Sequence, residues 1–174
     1  MMAYLRNNLF KGFLVSPLHA PAKSWLMLPV YALIAASIGF ASGLLKFEII
    51  KSNLVFVLPV TLFVFPSLLE EAFFRGVLIP REILAKGKSK TAIAVFFSTV
   101  AFVAWHPFNA YLINHSAISL FTNPWFLVIV FWLGLTCGYS YVVSRSIWVP
   151  VIIHWLTVLV WVFFLGGRNL VLAQ

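Results

Sequence analysis

Acidic residues are almost missing from this sequence: Asp and Glu together number 4, against 12 Lys and Arg. All four acids are Glu, and the sequence has no Asp. Charged residues of either sign make up only 9% of the chain, where an ordinary soluble domain carries about 25%. A water-soluble fold of this size needs a polar surface, and this chain lacks the residues to build one. Cysteine is nearly absent too. Cys137 stands alone, which excludes an internal disulfide. It lies in an apolar run beside Gly134 and Gly138 and reads as a small buried residue. No linker, low-complexity segment or internal repeat divides the chain, so one domain is expected.

Hydrophobic residues make up 63% of the sequence, and the mean hydropathy is +1.03. Apolar runs recur along it, each long enough to cross roughly 30 Å of hydrocarbon as a helix. The net charge is +8. On a soluble protein that surplus would point to nucleic acid. Here the charges sit between apolar spans, so topology and anionic membrane lipid account for them, and no nucleic acid is expected as a partner.

Residues 1–23 mix Arg6 and Lys11 with Leu5, Leu9, Phe10, Phe13 and Leu14, the pattern of an amphipathic helix on a membrane surface. The remainder, residues 24–168, reads as a single transmembrane domain. Five spans are expected, at 24–45, 53–79, 91–106, 124–143 and 147–165. Lys46, Glu48 and Lys51 form a polar turn after the first. Pro107 ends the third, and 107–124 reads as a loop without Lys or Arg. Arg145 marks a tight turn before the fifth. With the N-terminus in the cytoplasm, the inside segments hold Arg6, Lys11, Lys23, Arg81, Lys86, Lys88, Lys90 and Arg145. The outside segments hold Lys46, Lys51 and Arg168. The bias is eight to three, and it favours N-terminus in and C-terminus out. Gly39 with Gly43, and Gly134 with Gly138, have the spacing of close helix contacts.

The informative residues are those that hydropathy alone would forbid. Glu70 and Glu71 are adjacent and follow an apolar run. A charge at a helix centre costs about 2.5–3.5 kcal/mol on insertion scales, so the pair must be neutralised or hydrated. Arg75 lies one turn beyond Glu71 on the same helix face and can balance one carboxylate. The other is left free to accept a proton. His106 ends the third span and His154 lies within the fifth. A lone His in an apolar helix is usually a packing residue. Two of them with a Glu pair, on three helices, suggest convergence in a bundle interior. His19 and His115 lie in polar or loop segments and receive no role.

Such a cluster supports two chemistries for amide hydrolysis. A Glu and a His can activate water while another His stabilises the oxyanion. Alternatively Glu70, His106 and His154 could ligate zinc, which acidifies a bound water. The HExxH spacing that places two ligands on one helix is missing, which favours the version without a cofactor.

Residues 70–75 read EEAFFR, an EExxxR motif; 102–106 read FVAWH, an FxxxH motif; His154 follows on a late span. This ordered set resembles the CAAX protease and bacteriocin-processing family, also called Abi, over roughly residues 55–165. The resemblance implies an all-α polytopic membrane helix bundle, with about five transmembrane helices plus an N-terminal amphipathic helix. It implies a glutamate-type intramembrane endopeptidase that acts on a hydrophobic or lipid-modified peptide. Glu70 would be the general base, helped by His106. Glu71 and Arg75 would hold the charge and geometry of the site, and His154 would help stabilise the oxyanion. Phe102 comes with the second motif as a supporting residue. One position departs from the family pattern: the fourth residue after His154, usually Asn, is Val158. Asn109, three residues after His106, is the candidate replacement. The polar cavity is expected to open towards the cytoplasm, beside the basic loop. The expected setting is a multi-pass protein of a prokaryotic cytoplasmic membrane. Two competing readings are a family member with impaired catalysis that binds peptide as an immunity or scaffold protein, and a small transporter with a Glu–His proton relay.

Overall fold

The computed structural model describes residues 2–167; Arg168, counted above with the outside charges, lies outside the described residues. The fold is an all-α membrane bundle. Helix α1 is built from the abutting pieces Met2–Leu5, Arg6–Phe10 and Lys11–Leu14. Helices α2 (Ala22–Ala41), α4 (Lys88–Leu112) and α6 (Pro124–Ser144) are each long and apolar enough to cross a membrane. Helix α7 (Trp148–Phe164) is a shorter apolar helix. Helix α3 is assembled from Leu58–Leu62, Phe63–Leu68, Leu69–Glu71 and Ala72–Val77, and α5 is the short Ile118–Phe121. Large apolar side chains cover the outside of the bundle: Leu33 is 71% exposed, Phe97 66% and Val60 64%. Such a surface suits lipid and is costly in water.

Three of the expected spans change shape. The second begins at Leu58 rather than 53 and is broken inside. Phe65 is extended (φ −133°, ψ 121°) immediately before Pro66, because the proline ring disfavours the helical conformation of the residue preceding it. The hydroxyl of Ser67 donates to the Leu62 carbonyl at 2.9 Å, which satisfies a backbone acceptor near the break. The third span does not end at Pro107. Helix α4 runs through it to Leu112, and Asn109 and Ala110 are buried beyond it. A proline inside a helix costs about 3 kcal/mol. Burying Ala110 and Asn109, and keeping the backbone paired in an apolar setting, offsets that cost. The expected loop at 107–124 is therefore largely helical, ending in α5. The first span stops at Ala41 rather than 45.

The glycine pairs divide. A Cβ on Gly134 would meet Thr99 Cγ2 at 2.8 Å, and one on Gly138 would meet Val95 Cγ1 at 2.7 Å. This pair seats α6 against α4 within one chain. Gly39 and Gly43 are not a helix-packing pair. Gly43 has φ +77° and ends α2, and the amide of Leu45 turns back to the Gly39 carbonyl at 2.9 Å. Cys137 is fully buried, with its thiol 3.7 Å from the Pro150 carbonyl.

Helix α1 is tied to the bundle rather than only resting beside it. Tyr4 Oη donates to the Val77 carbonyl at 3.0 Å. The buried Asn8 accepts from the Arg81 amide at 3.2 Å. The Ile147 amide donates to the Gly12 carbonyl at 3.1 Å, and Trp148 Nε1 donates to the Phe13 carbonyl at 2.8 Å. These bonds join α1 to the last turn of α3 and the first turn of α7. The turn between α6 and α7 is made by Arg145, whose φ of 58° and ψ of 17° are left-handed, as the tight turn requires.

Candidate active site

Glu70 and Glu71 are neighbours in the chain, so their side chains leave α3 about 100° apart. That angle sends them to different partners. Glu71 is wholly buried, as is Arg75. Arg75 Nη2 donates to Glu71 Oε1 at 3.4 Å, and Arg75 Nε approaches Oε2 at 2.9 Å as an ion-pair contact without the alignment of a hydrogen bond. Arg75 Nη1 reaches Ser98 Oγ at 3.4 Å, and Ser98 donates in turn to the Phe74 carbonyl at 2.6 Å. The guanidinium lies 4.7 Å from the centroid of the Phe102 ring, a cation–π arrangement. A buried pair needs such extra partners to be tolerated.

His154, on α7, closes this group. Its Nδ1 is 3.0 Å from Glu71 Oε1. A carboxylate only accepts, so Nδ1 carries a proton, and Nε2 is the nitrogen not engaged by Glu71. The same logic applies to His106 on α4. Its Nδ1 donates to the Phe102 carbonyl at 2.9 Å, and its Nε2 is left over. Phe102, fully buried, stands edge-on to both imidazoles, with centroid distances of 5.0 Å to His106 and 5.6 Å to His154.

Glu70 turns the other way. Its Oε1 accepts from Trp105 Nε1 at 3.0 Å. Its Oε2 is buried and has no protein partner among the described residues. Glu70, His106, Asn109, His154 and Val158 all line one cavity of about 630 Å³. Three helices therefore bring together the candidates read from the motifs. Asn109 reaches the cavity from inside α4, one turn past His106, and not from a loop that folds back. Thr157 also lines the cavity, but its hydroxyl is committed to the Ile153 carbonyl at 2.9 Å.

Trp105 and Ser98 were not picked out by the motifs. Ser98, Phe102 and His106 recur every four residues along α4 and so share one face. A polar residue at that register was the available signal for Ser98. For Trp105 the only signal was adjacency to His106.

The cavity differs from the polar one expected. Its walls are mostly apolar, from α2 (Leu28, Ala35), α6 (Phe126, Val130) and α7 (Leu156, Trp161), and its polar groups gather on one side. Its place also differs. Among the described residues it takes no lining from 1–27, 71–104 or 134–153. The cavity runs from the middle of α2 and α3 along the later parts of α4 and α7 and the start of α6, and the basic loop and α1 do not line it.

As for a metal, no group of three His, Cys, Asp or Glu side chains among the described residues is placed to hold an ion. Glu70, His106 and His154, the alternative ligand set, line one cavity without forming such a group.

The family model described as type II CAAX prenyl endopeptidase Rce1-like matches residues 51–160. The chain belongs to this family. The match spans α3 to most of α7 and includes each motif residue from Glu70 to His154. Helices α1 and α2 lie outside it, although α2 walls the cavity of this Rce1-like protein. No curated protein and no solved structure matches the chain.

Proposed function

We propose that this protein is an intramembrane endopeptidase that hydrolyses a peptide bond in a hydrophobic or lipid-modified polypeptide, using Glu70 as general base. One observation carries the reading. One oxygen of Glu70 is fixed by Trp105, and the other is buried, without a partner among the described residues, on a side chain at the wall of the cavity. A carboxylate held in this way is poised to take a proton from water. The membership of the chain in the Rce1-like family supports the same chemistry.

In this mechanism Glu70 Oε2 and His106 Nε2 accept hydrogen bonds from one water. Glu70 takes its proton as the oxygen adds to the scissile carbonyl carbon. Asn109 donates to the oxyanion that develops there, and His154 does so in its doubly protonated form, with Nδ1 on Glu71 and Nε2 on the oxygen. The carbon–nitrogen bond then breaks, and the proton held by Glu70 passes to the departing amine. Glu71 and Arg75 act at a distance: the ion pair fixes His154 through its Nδ1. The hydrolysis uses protein groups and water alone. The eight-to-three charge bias supports an N-terminus in the cytoplasm.

A second reading has one observation behind it. Val158 stands on the cavity wall where family members usually carry Asn, and without that donor the protein would bind peptide and leave it uncut. The two are separated by comparing membrane and secreted peptides from cells that carry wild type or Glu70→Gln at matched levels. A precursor that accumulates uncut in the variant supports the protease. Identical peptide profiles, with full complementation by the variant, support the binder.

A further inference from the structure

The sign of the charges and the position of the cavity point to opposite ends of the bundle. Arg81, Lys86, Lys88 and Lys90 follow α3 and lead into α4, and Arg145 joins α6 to α7. Helix α1, with Arg6 and Lys11, is bonded across this same end through Asn8, Gly12 and Phe13. The basic end is therefore both positively charged and closed by a helix. The cavity extends from the middle of the bundle, where Tyr31, Glu70 and His154 line it, to the other end, where Leu44, Leu45, Asn114, Phe121 and Leu165 do. There the chain between α2 and α3 carries Lys46, Glu48 and Lys51, and Lys46 pairs with Glu48 at 2.8 Å. That end has no comparable surplus of positive charge.

Short loops rich in Lys and Arg stay in the cytoplasm, where each such residue near an anionic surface contributes about 1 kcal/mol. We infer that the cavity opens to the extracytoplasmic side, and that its substrate is the hydrophobic segment of an exported or membrane-anchored polypeptide whose scissile bond is presented from that side. A lipid-modified tail delivered from the cytoplasm would meet the closed end. The apolar walls fit an apolar segment, and Glu70, His106 and His154 line the same space. This inference rests on the protease reading and narrows its substrate class.

The test labels intact cells with a membrane-impermeant maleimide. Lys51→Cys, at the cavity end, should be modified in intact cells. Asn114→Cys, on the cavity wall, should be modified there too. Lys90→Cys, at the basic end, should be modified only after permeabilisation. The native Cys137, fully buried, provides the blank. The reverse pattern overturns the inference. A second arm uses right-side-out and inverted vesicles with an impermeant fluorogenic apolar peptide, and Glu70→Ala as control. Glu70-dependent cleavage confined to right-side-out vesicles supports the inference, and cleavage confined to inverted vesicles overturns it. No cleavage in either, with the labelling as expected, sinks the protease reading and leaves the orientation of the cavity established.

Discussion

Trp105 Nε1 donates to Glu70 Oε1 at 3.0 Å, a contact between residues 35 apart in sequence. This bond decides which oxygen of Glu70 faces the cavity. Trp105→Phe keeps the aromatic bulk and removes only the donor. A hydrogen bond to a charged group contributes about 1.5–3 kcal/mol, so kcat should fall roughly 10- to 100-fold. The thermal midpoint should stay near that of wild type, and KM should hardly move. A large loss of stability with unchanged kcat would show that the indole is a packing residue only.

The buried pair of Glu71 and Arg75 sets the second expectation. Arg75→Met removes the cation that pairs with Glu71 in a fully buried position and leaves it with His154. Breaking such a pair costs about 3–5 kcal/mol. The double variant Glu71→Gln, Arg75→Met removes both charges and should recover part of that loss. Thermal unfolding in detergent reads both. A single variant as stable as wild type would remove the pair from the framework of the site.

Gly134 lies where α6 meets the face of α4 that carries Thr99 and Phe102. A Cβ there would sit 2.8 Å from Thr99 Cγ2 and 3.3 Å from Phe102. Both neighbours are fully buried and have little room to give. Gly134→Ala should push α4 outward and shift Phe102, whose carbonyl holds His106. Stability should drop by about 1–3 kcal/mol, and cleavage should drop with it. The same substitution at Gly43 meets nothing within 4 Å. It should cost about 1–2 kcal/mol through its positive φ and leave cleavage by the folded fraction unchanged. Equal specific activities for the two variants would argue against α4 as the element that positions the site.

How much of this was legible in the sequence differs from residue to residue. Glu70, Glu71, Arg75, His106 and His154 were legible because an ionisable group in an apolar helix has few reasons to be there. Their separate partners were not. The 100° between adjacent helical residues says that two carboxylates diverge, but not that one meets Trp105 and the other His154. Pro107 misled because its local cost is real; tertiary burial of Asn109 and Ala110 overrides it. Phe65 before Pro66 was the readable sign of a broken helix. The place of the cavity was the least legible feature, because it depends on which ends of five helices fail to pack. The sequence pattern put the basic loop and the Glu pair close together, and the fold keeps the cavity away from that loop.

Metal removal provides a further check. The proposed hydrolysis runs on Glu70, His106 and water, and no three-donor group stands among the described residues. Cleavage by purified protein should therefore persist after dialysis against a strong chelator, with no gain on adding zinc. Loss of activity that zinc restores would move Glu70, His106 and His154 from acid–base roles to ligand roles.

The last expectation concerns the oxyanion. Asn109 and Val158 line the same cavity, and only Asn109 offers N–H donors. If Asn109 fills the place left by Val158, then Asn109→Ala should lower kcat about 100- to 1,000-fold, the usual cost of losing one oxyanion donor. KM should change little, because the bond strengthens only as the charge develops. Adding Val158→Asn to Asn109→Ala should return much of the lost rate, since position 158 is one helical turn beyond His154 and on the same face of α7. Val158→Asn alone should raise kcat or leave it unchanged. If Asn109→Ala cleaves at the wild-type rate while Val158→Asn accelerates it, Asn109 is a wall residue, and His154 carries the oxyanion without help.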